Sequence, residues 1–185
     1  KYIHKGAPLM NTALFQQEMK NIEEYAQTLC ETLEENFKQD SIASYKRMAM
    51  TDVKINGKYS GYATQRLEEI ENGTANLYKF IVKKGRKYLK IINQQYDDMG
   101  AYATYQYRDG SVLRPILVMG PNPSYEYRNG SVHAFIDRET GDVYKPASWN
   151  KPAKHVRYNL LERSDRNFLF DWKNVGWAGG YLYMR

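Results

Sequence analysis

A chain of 185 residues is long enough for one domain that buries roughly two thirds of its unfolded surface without a covalent or metal staple. The lone cysteine, Cys30, excludes an intramolecular disulfide framework and a cysteine-based zinc cluster, and it points to a reducing compartment. The net charge of +6 is uneven: residues 1–75 carry 9 Lys+Arg against 11 Asp+Glu (−2), and residues 76–185 carry 18 against 10 (+8), which favours a polyanionic partner for the downstream half.

In chain order, the first expected element is a long amphipathic helix over 12–38. Phe15, Met19, Ile22, Ala26, Leu29, Leu33 and Phe37 recur at spacings of three and four, Glu18, Glu23, Glu24, Glu31, Glu34 and Glu35 fill other positions, and Asn11 or Thr12 is placed to cap the start. Its stripe covers the chain's own sheet or a second copy of the helix, and Cys30 on that stripe reads as a buried core thiol. Beyond it the pattern changes to short strands broken by glycine turns. Asn56-Gly57 between 52–55 and 58–62 predicts a first hairpin, because both central residues of such a turn need positive φ. A brief helix over 64–71 ends at Asn72-Gly73. Strands over 77–83 and 86–92 then flank Lys84-Gly85 in a second hairpin bearing Lys79, Lys83, Lys84, Arg86, Lys87 and Lys90.

Tyr107-Arg108-Asp109-Gly110-Ser111-Val112 and Tyr127-Arg128-Asn129-Gly130-Ser131-Val132 echo one another, and each predicts a hairpin turn. Two copies are too few for a solenoid. Between them, Gly120-Pro121-Asn122-Pro123 must leave the sheet edge or change sheets. A further hairpin turns through Glu139-Thr140-Gly141-Asp142. From 146 onward the chain reads as irregular, with short helices near 152–157 and 164–170, and the aromatic end 177–185 reads as a last strand docked on the sheet. The resulting fold expectation is α+β in one domain, 1–185. It comprises an antiparallel β meander of about seven to nine strands (51–145) packed against the N-terminal helix, and an irregular basic C-terminal segment (146–185).

Residues 135–160 concentrate the candidate chemistry. Lys145, Lys151, Lys154, His155 and Arg157 surround Trp149, and Pro146 and Pro152 restrict the backbone between them. Burial of Trp149 as a structural plug explains the ring and the prolines, but a plug has no need of the cations, whereas phosphate contacts do. With the basic hairpin, the candidate nucleic-acid-binding set is Lys83, Lys84, Arg86, Lys87, Lys145, Trp149, Lys151, Lys154, His155 and Arg157. Tyr88, Tyr102, Tyr105, Tyr107, Tyr125, Tyr127 and Tyr144, drawn from 17 tyrosines, sit on strand-like segments beside Lys87, Lys90, Arg108 and Arg128. They form either one aromatic sheet face or a stacking platform for single-stranded nucleic acid.

The run Phe135-Ile136-Asp137-x-x-Thr140-Gly141-Asp142-Val143-x-Lys145-x-Ala147-Ser148-Trp149-x-x-Pro152-Ala153-Lys154-x-x-Arg157-x-Asn159-Leu160 resembles a motif of small uncharacterised proteins of tailed phages, marine and cyanobacterial ones in particular. It covers 26 of the 185 residues. The resemblance implies a viral origin and carries no activity with it.

No nucleophile elbow, P-loop or dinucleotide fingerprint is present, and Cys30 has no neighbouring base. The three histidines, His4, His133 and His155, show no metal-ligand spacing. His133 and Asp137, on one face of a strand at period two, stand ~13 Å apart, too far for a dyad. Asp97-Asp98, or Asp137 with Asp142, could hold a divalent cation, but acidic residues are ordinary in turns. The expectation is therefore a non-enzymatic protein without cofactor or metal, binding DNA, RNA or an acidic host macromolecule. A virion structural or assembly protein, with the long helix joining copies, is the alternative, and an inhibitor of a host enzyme or defence system is a third. The longest apolar run, 115–119, is far below the roughly 20 residues of a membrane span, and no signal-peptide core stands at the N-terminus. Host cytoplasm or virion is the expected location.

Overall fold

The computed structural model describes residues 12–51, 61–98, 101–108, 112–119 and 125–183, with side chains for 19–50, 61–96 and 126–183. The fold is α+β. Helices α1 (Thr12–Thr51) and α2 (Tyr62–Glu71) precede strands β1 (Lys79–Lys84), β2 (Tyr88–Asp98), β3 (Ala101–Arg108), β4 (Val112–Met119), β5 (Tyr125–Asp137), β6 (Asp142–Pro146) and β7 (Pro152–Asn159). Helix α3 (Arg163–Leu169) and a 3-10 turn (Gly180–Leu182) follow. Five strands form one antiparallel sheet in the order β1-β2-β5-β6-β7, and β3 and β4 form a separate two-stranded antiparallel sheet.

The expected stripe of α1 is buried: Ile22, Ala26, Leu29, Cys30 and Leu33 lie against Phe80, Leu89, Ile91, Ala134, Ile136 and Val143 of the sheet. Each Ile, Leu, Val or Phe side chain among them contributes on the order of 1.5–3 kcal/mol by leaving water. Burial also pushes the Cys30 thiol up to about 12, with the Glu34 and Glu31 carboxylates adding to the shift. The helix runs on past its expected end at residue 38. Apolar spacing loosens there, but no proline or glycine stops it. The extension instead meets α2, where the Tyr45 and Tyr62 rings lie 6.1 Å apart and Arg66 sits 5.9 Å from the Tyr45 ring centroid. Tyr62 was expected at the end of a strand and instead opens α2 after Gly61, whose φ of 65° supplies the left-handed entry. The Asn56-Gly57 turn and the 120–123 linker lie outside the described residues, as does the Asp109-Gly110 turn, although β3 and β4 on either side of it pair antiparallel. The hairpin around Lys84-Gly85 and the stop of α2 at Asn72-Gly73 stand as expected.

Three expectations fail. Asn129-Gly130 is not a hairpin turn but lies inside the continuous strand β5, where the pairing with β2 shifts register between Ile91↔Ala134, Ile92↔Val132 and Gln94↔Asn129. A bulge uses the same permissive residues as a turn. Here Asn93 Oδ1 reaches into it and accepts the Ser131 N–H at 2.6 Å, and a Cβ at position 130 would collide with that same Asn93 side chain. Second, 152–157 is not helical. Pro152 opens an edge strand, a position that needs no amide donor, and β7 completes a hairpin with β6. Third, the aromatic end is ordered but makes no strand. It wraps back across the core as turns, burying Val175 and Leu182, and Asn36 of α1 clamps it: its Nδ2 donates to Trp172 O at 2.8 Å and its Oδ1 accepts the Trp177 N–H at 2.9 Å.

Candidate nucleic-acid interface

Strand alternation and register build one row across the sheet. Lys83 pairs with Lys90, Lys90 with Phe135, Phe135 with Tyr144, and Tyr144 with Val156. The flanking residues Leu89, Ile91, Ala134, Ile136 and Val143 belong to the helix-side core, so the row lies on the opposite, outer face. There, Ile92, Val132 and Phe135 form a second, smaller cluster rimmed by Ile81, Tyr88 and Tyr144.

Trp149 stands at the tip of the β6–β7 hairpin, where the Ala147 and Ser148 N–H groups both donate to Lys151 O. The ring is 42% exposed, so it is not a buried plug. Lys90 ties the tip to the outer face: its ammonium donates to Trp149 O at 2.8 Å and Asn150 Oδ1 at 3.0 Å, and lies 5.5 Å from the Trp149 ring centroid and 5.6 Å from that of Phe135. Beside the tip, Ser131, Val132, Pro146, Ala147, Ser148 and Trp149 line a groove of about 260 Å³. Tyr88 meets Phe135 and Tyr144 edge-on at 84° and 83°, and Phe135 is 1% exposed. These three rings are packed into one another and present no stacking platform. The side chains of Tyr102, Tyr105, Tyr107, Arg108 and Tyr125 lie outside the described residues.

The ten candidate residues do not form one patch. Lys83, Arg86 and Lys87 are exposed around the β1–β2 turn, whereas Lys151, Lys154 and His155 are exposed on the opposite edge of the sheet. Lys84 reaches Glu23 at 2.6 Å, and Glu23 also pairs with Arg138 at 3.2 Å. The Lys84 hydrogen bond, together with the charges of Lys84 and Arg138, holds the Glu23 carboxyl below the usual range. Lys87 lies 3.7 Å from Asp137. Lys145 turns away to the C-terminal segment, 3.5 Å from the Tyr183 ring centroid, and Arg157 Nε donates to Leu182 O at 2.7 Å. The central cation, Lys90, belongs to the basic hairpin but lies outside the ten candidates read from the sequence. The period-two pattern Tyr88, Lys90, Ile92 was the signal that could have found it.

The carboxylates of 135–160 serve the turn. Asp137 Oδ1 accepts the Glu139 N–H at 2.9 Å, Asp142 Oδ2 accepts the Thr140 hydroxyl at 2.7 Å, and Asn159 Nδ2 donates to both Thr140 O and Asp142 Oδ1. Gly141 takes the positive φ the turn requires, 73°. Among the described residues no group of three or more His, Cys, Asp or Glu side chains is gathered to hold a metal ion. His133 does not share a face with Asp137 as period two predicts, because the bulge turns it to the helix side. There it packs on Phe80 and shares a 3.0 Å hydrogen bond with the Tyr181 hydroxyl. Burial lowers its pKa to about 4 and raises that of Tyr181. No helix of the described residues is long and apolar enough to cross a membrane.

A model described as Family of unknown function (DUF7717) matches residues 9–122 and 116–184. The chain belongs to that family. The span shared with DUF7717 takes in α1, the five-stranded sheet and the Trp149 hairpin. Comparison with curated proteins and with solved structures found no match.

Proposed function

We propose that this protein is a non-enzymatic binder of polyanions, nucleic acid before an acidic host macromolecule, and that it is a tailed-phage product acting in the host cytoplasm or the virion. The binding reading is carried by the outer-face row in which Lys83 and Lys90 adjoin Phe135 and Tyr144 beneath the exposed Trp149. Cations on an extended face attract phosphates and release condensed counterions, and an exposed indole adds contact with the bases. The phage assignment rests on the 135–160 segment alone. Lys145 and Arg157 drop out of the binding set because they turn to Tyr183 and the Leu182 carbonyl of the C-terminal segment, off the outer-face row.

Neutralising Lys83, Lys87, Lys90 and Lys151 together to Gln is expected to weaken DNA or RNA binding. It should also reduce the slope of log affinity against log salt by up to about 3. Unchanged affinity and slope, with the circular dichroism spectrum intact, would refute the charge-driven role.

The assembly reading is favoured by Met50, 88% exposed, and Tyr62, also exposed, at the α1–α2 end. Self-association through α1 cannot use the stripe from Ile22 to Leu33, which already covers the sheet. A stoichiometric copy number in mass spectra of purified particles supports assembly, and absence from them opposes it.

A further inference from the structure

We infer that the nucleic acid bound is single-stranded, with one base seated in the groove beside Trp149 and the adjoining phosphates carried by Lys90, Lys87 and Lys83. This deepens the polyanion-binding reading and rests on it. The groove, at about 260 Å³, has room for one planar heterocycle but not for a duplex, whose bases are stacked inside the helix and reach such a recess only by flipping out. Its lining combines the apolar Val132 and Pro146 with Ser131 and Ser148, residue types that can meet the face and the polar edge of a base.

Among the described residues of this part of the face Trp149 is the exposed ring, whereas Tyr88 meets Phe135 and Tyr144 edge-on. The Lys90 ammonium lies 5.5 Å from the centroid of the indole that lines the groove. A base entering the groove meets an indole whose backbone is already tied down by the Lys90 hydrogen bond to the Trp149 carbonyl. From Lys90 the cations continue across to its partner Lys83 and to Lys87 in the turn just before β2, where the Lys87 ammonium stands 3.7 Å from Asp137. Such a track suits a flexible backbone a few nucleotides long. An acidic protein segment could meet the lysines, but it carries no base to stack on the indole.

The test uses the full chain, fluorescently labelled single-stranded DNA and RNA oligonucleotides from 3 to 20 nucleotides, the corresponding duplexes, and heparin as a polyanion without bases. The expected result is single strands bound at least tenfold tighter than duplexes, with affinity per site levelling off at a few nucleotides. Trp149→Ala should lose on the order of tenfold on single strands and little on heparin, and Trp149→Phe should recover most of the loss. Equal binding of single strands and duplexes, with Trp149→Ala without effect, overturns the base-in-groove inference and leaves the charge-driven reading standing. Binding of heparin or an acidic peptide with no binding of either nucleic acid at low salt overturns the inference too. No binding to any polyanion overturns both.

Discussion

The two faces of the five-stranded sheet use the same strands for opposite ends. On the inner face Leu89, Ile91, Ala134, Ile136 and Val143 meet α1 and the C-terminal turns in one continuous core. On the outer face the same strands present a small buried cluster ringed by half-buried tyrosines, lysines and an exposed tryptophan. Hydrophobic burial that holds the fold together is concentrated on one side, which leaves the other free to vary in charge and shape without unfolding the domain.

Leu29→Ala, in the centre of the inner core, is expected to cost about 2–5 kcal/mol in urea denaturation, and a loss comparable to that of a surface substitution would mean the helix does not hold the sheet. Next in size is His133. Its pKa of about 4 in the folded chain lies below the unfolded value near 6.5, so the unfolded state takes up the proton first. Stability is full above about pH 6.5 and falls by on the order of 3 kcal/mol as pH drops to 4. His133→Gln should flatten that part of the acid-denaturation profile, and an unchanged profile would move the acid sensitivity elsewhere. Asn36→Ala removes two hydrogen bonds to the C-terminal backbone and is expected to cost about 1–3 kcal/mol, with limited proteolysis cutting first within 170–183. Trp149→Ala should change stability by no more than about 0.5 kcal/mol; a large destabilisation would place Trp149 in the core's service and blur the division between the faces.

Much of the inner face was legible in the sequence and little of the outer one. The stripe from Ile22 to Phe37, the end of α2 at Asn72-Gly73 and the Lys84-Gly85 hairpin are local patterns, decided within a few residues. Asn129-Gly130 was misread because a turn and a bulge ask for the same residues, and only the partner strand decides between them. Pro152 concealed β7 because proline marks an irregular segment unless the strand lies at an edge. Composition showed the positive charge of the downstream half, but not that Lys84 would meet Glu23, 61 residues earlier, or that Arg157 would turn to the Leu182 carbonyl. The site residues depend on which side of the pleat each cation occupies, and the bulges at Ile91–Gln94 and within β7 reset that count midway along the strands.

The Asn36 clamp joins positions 136 and 141 residues apart. During synthesis at about 5–20 residues per second, helix α1 waits on the order of ten seconds before Trp172 and Trp177 exist to be grasped. Until then its greasy stripe has no finished roof, and the nascent chain is open to chaperones and to neighbouring copies emerging on the same message.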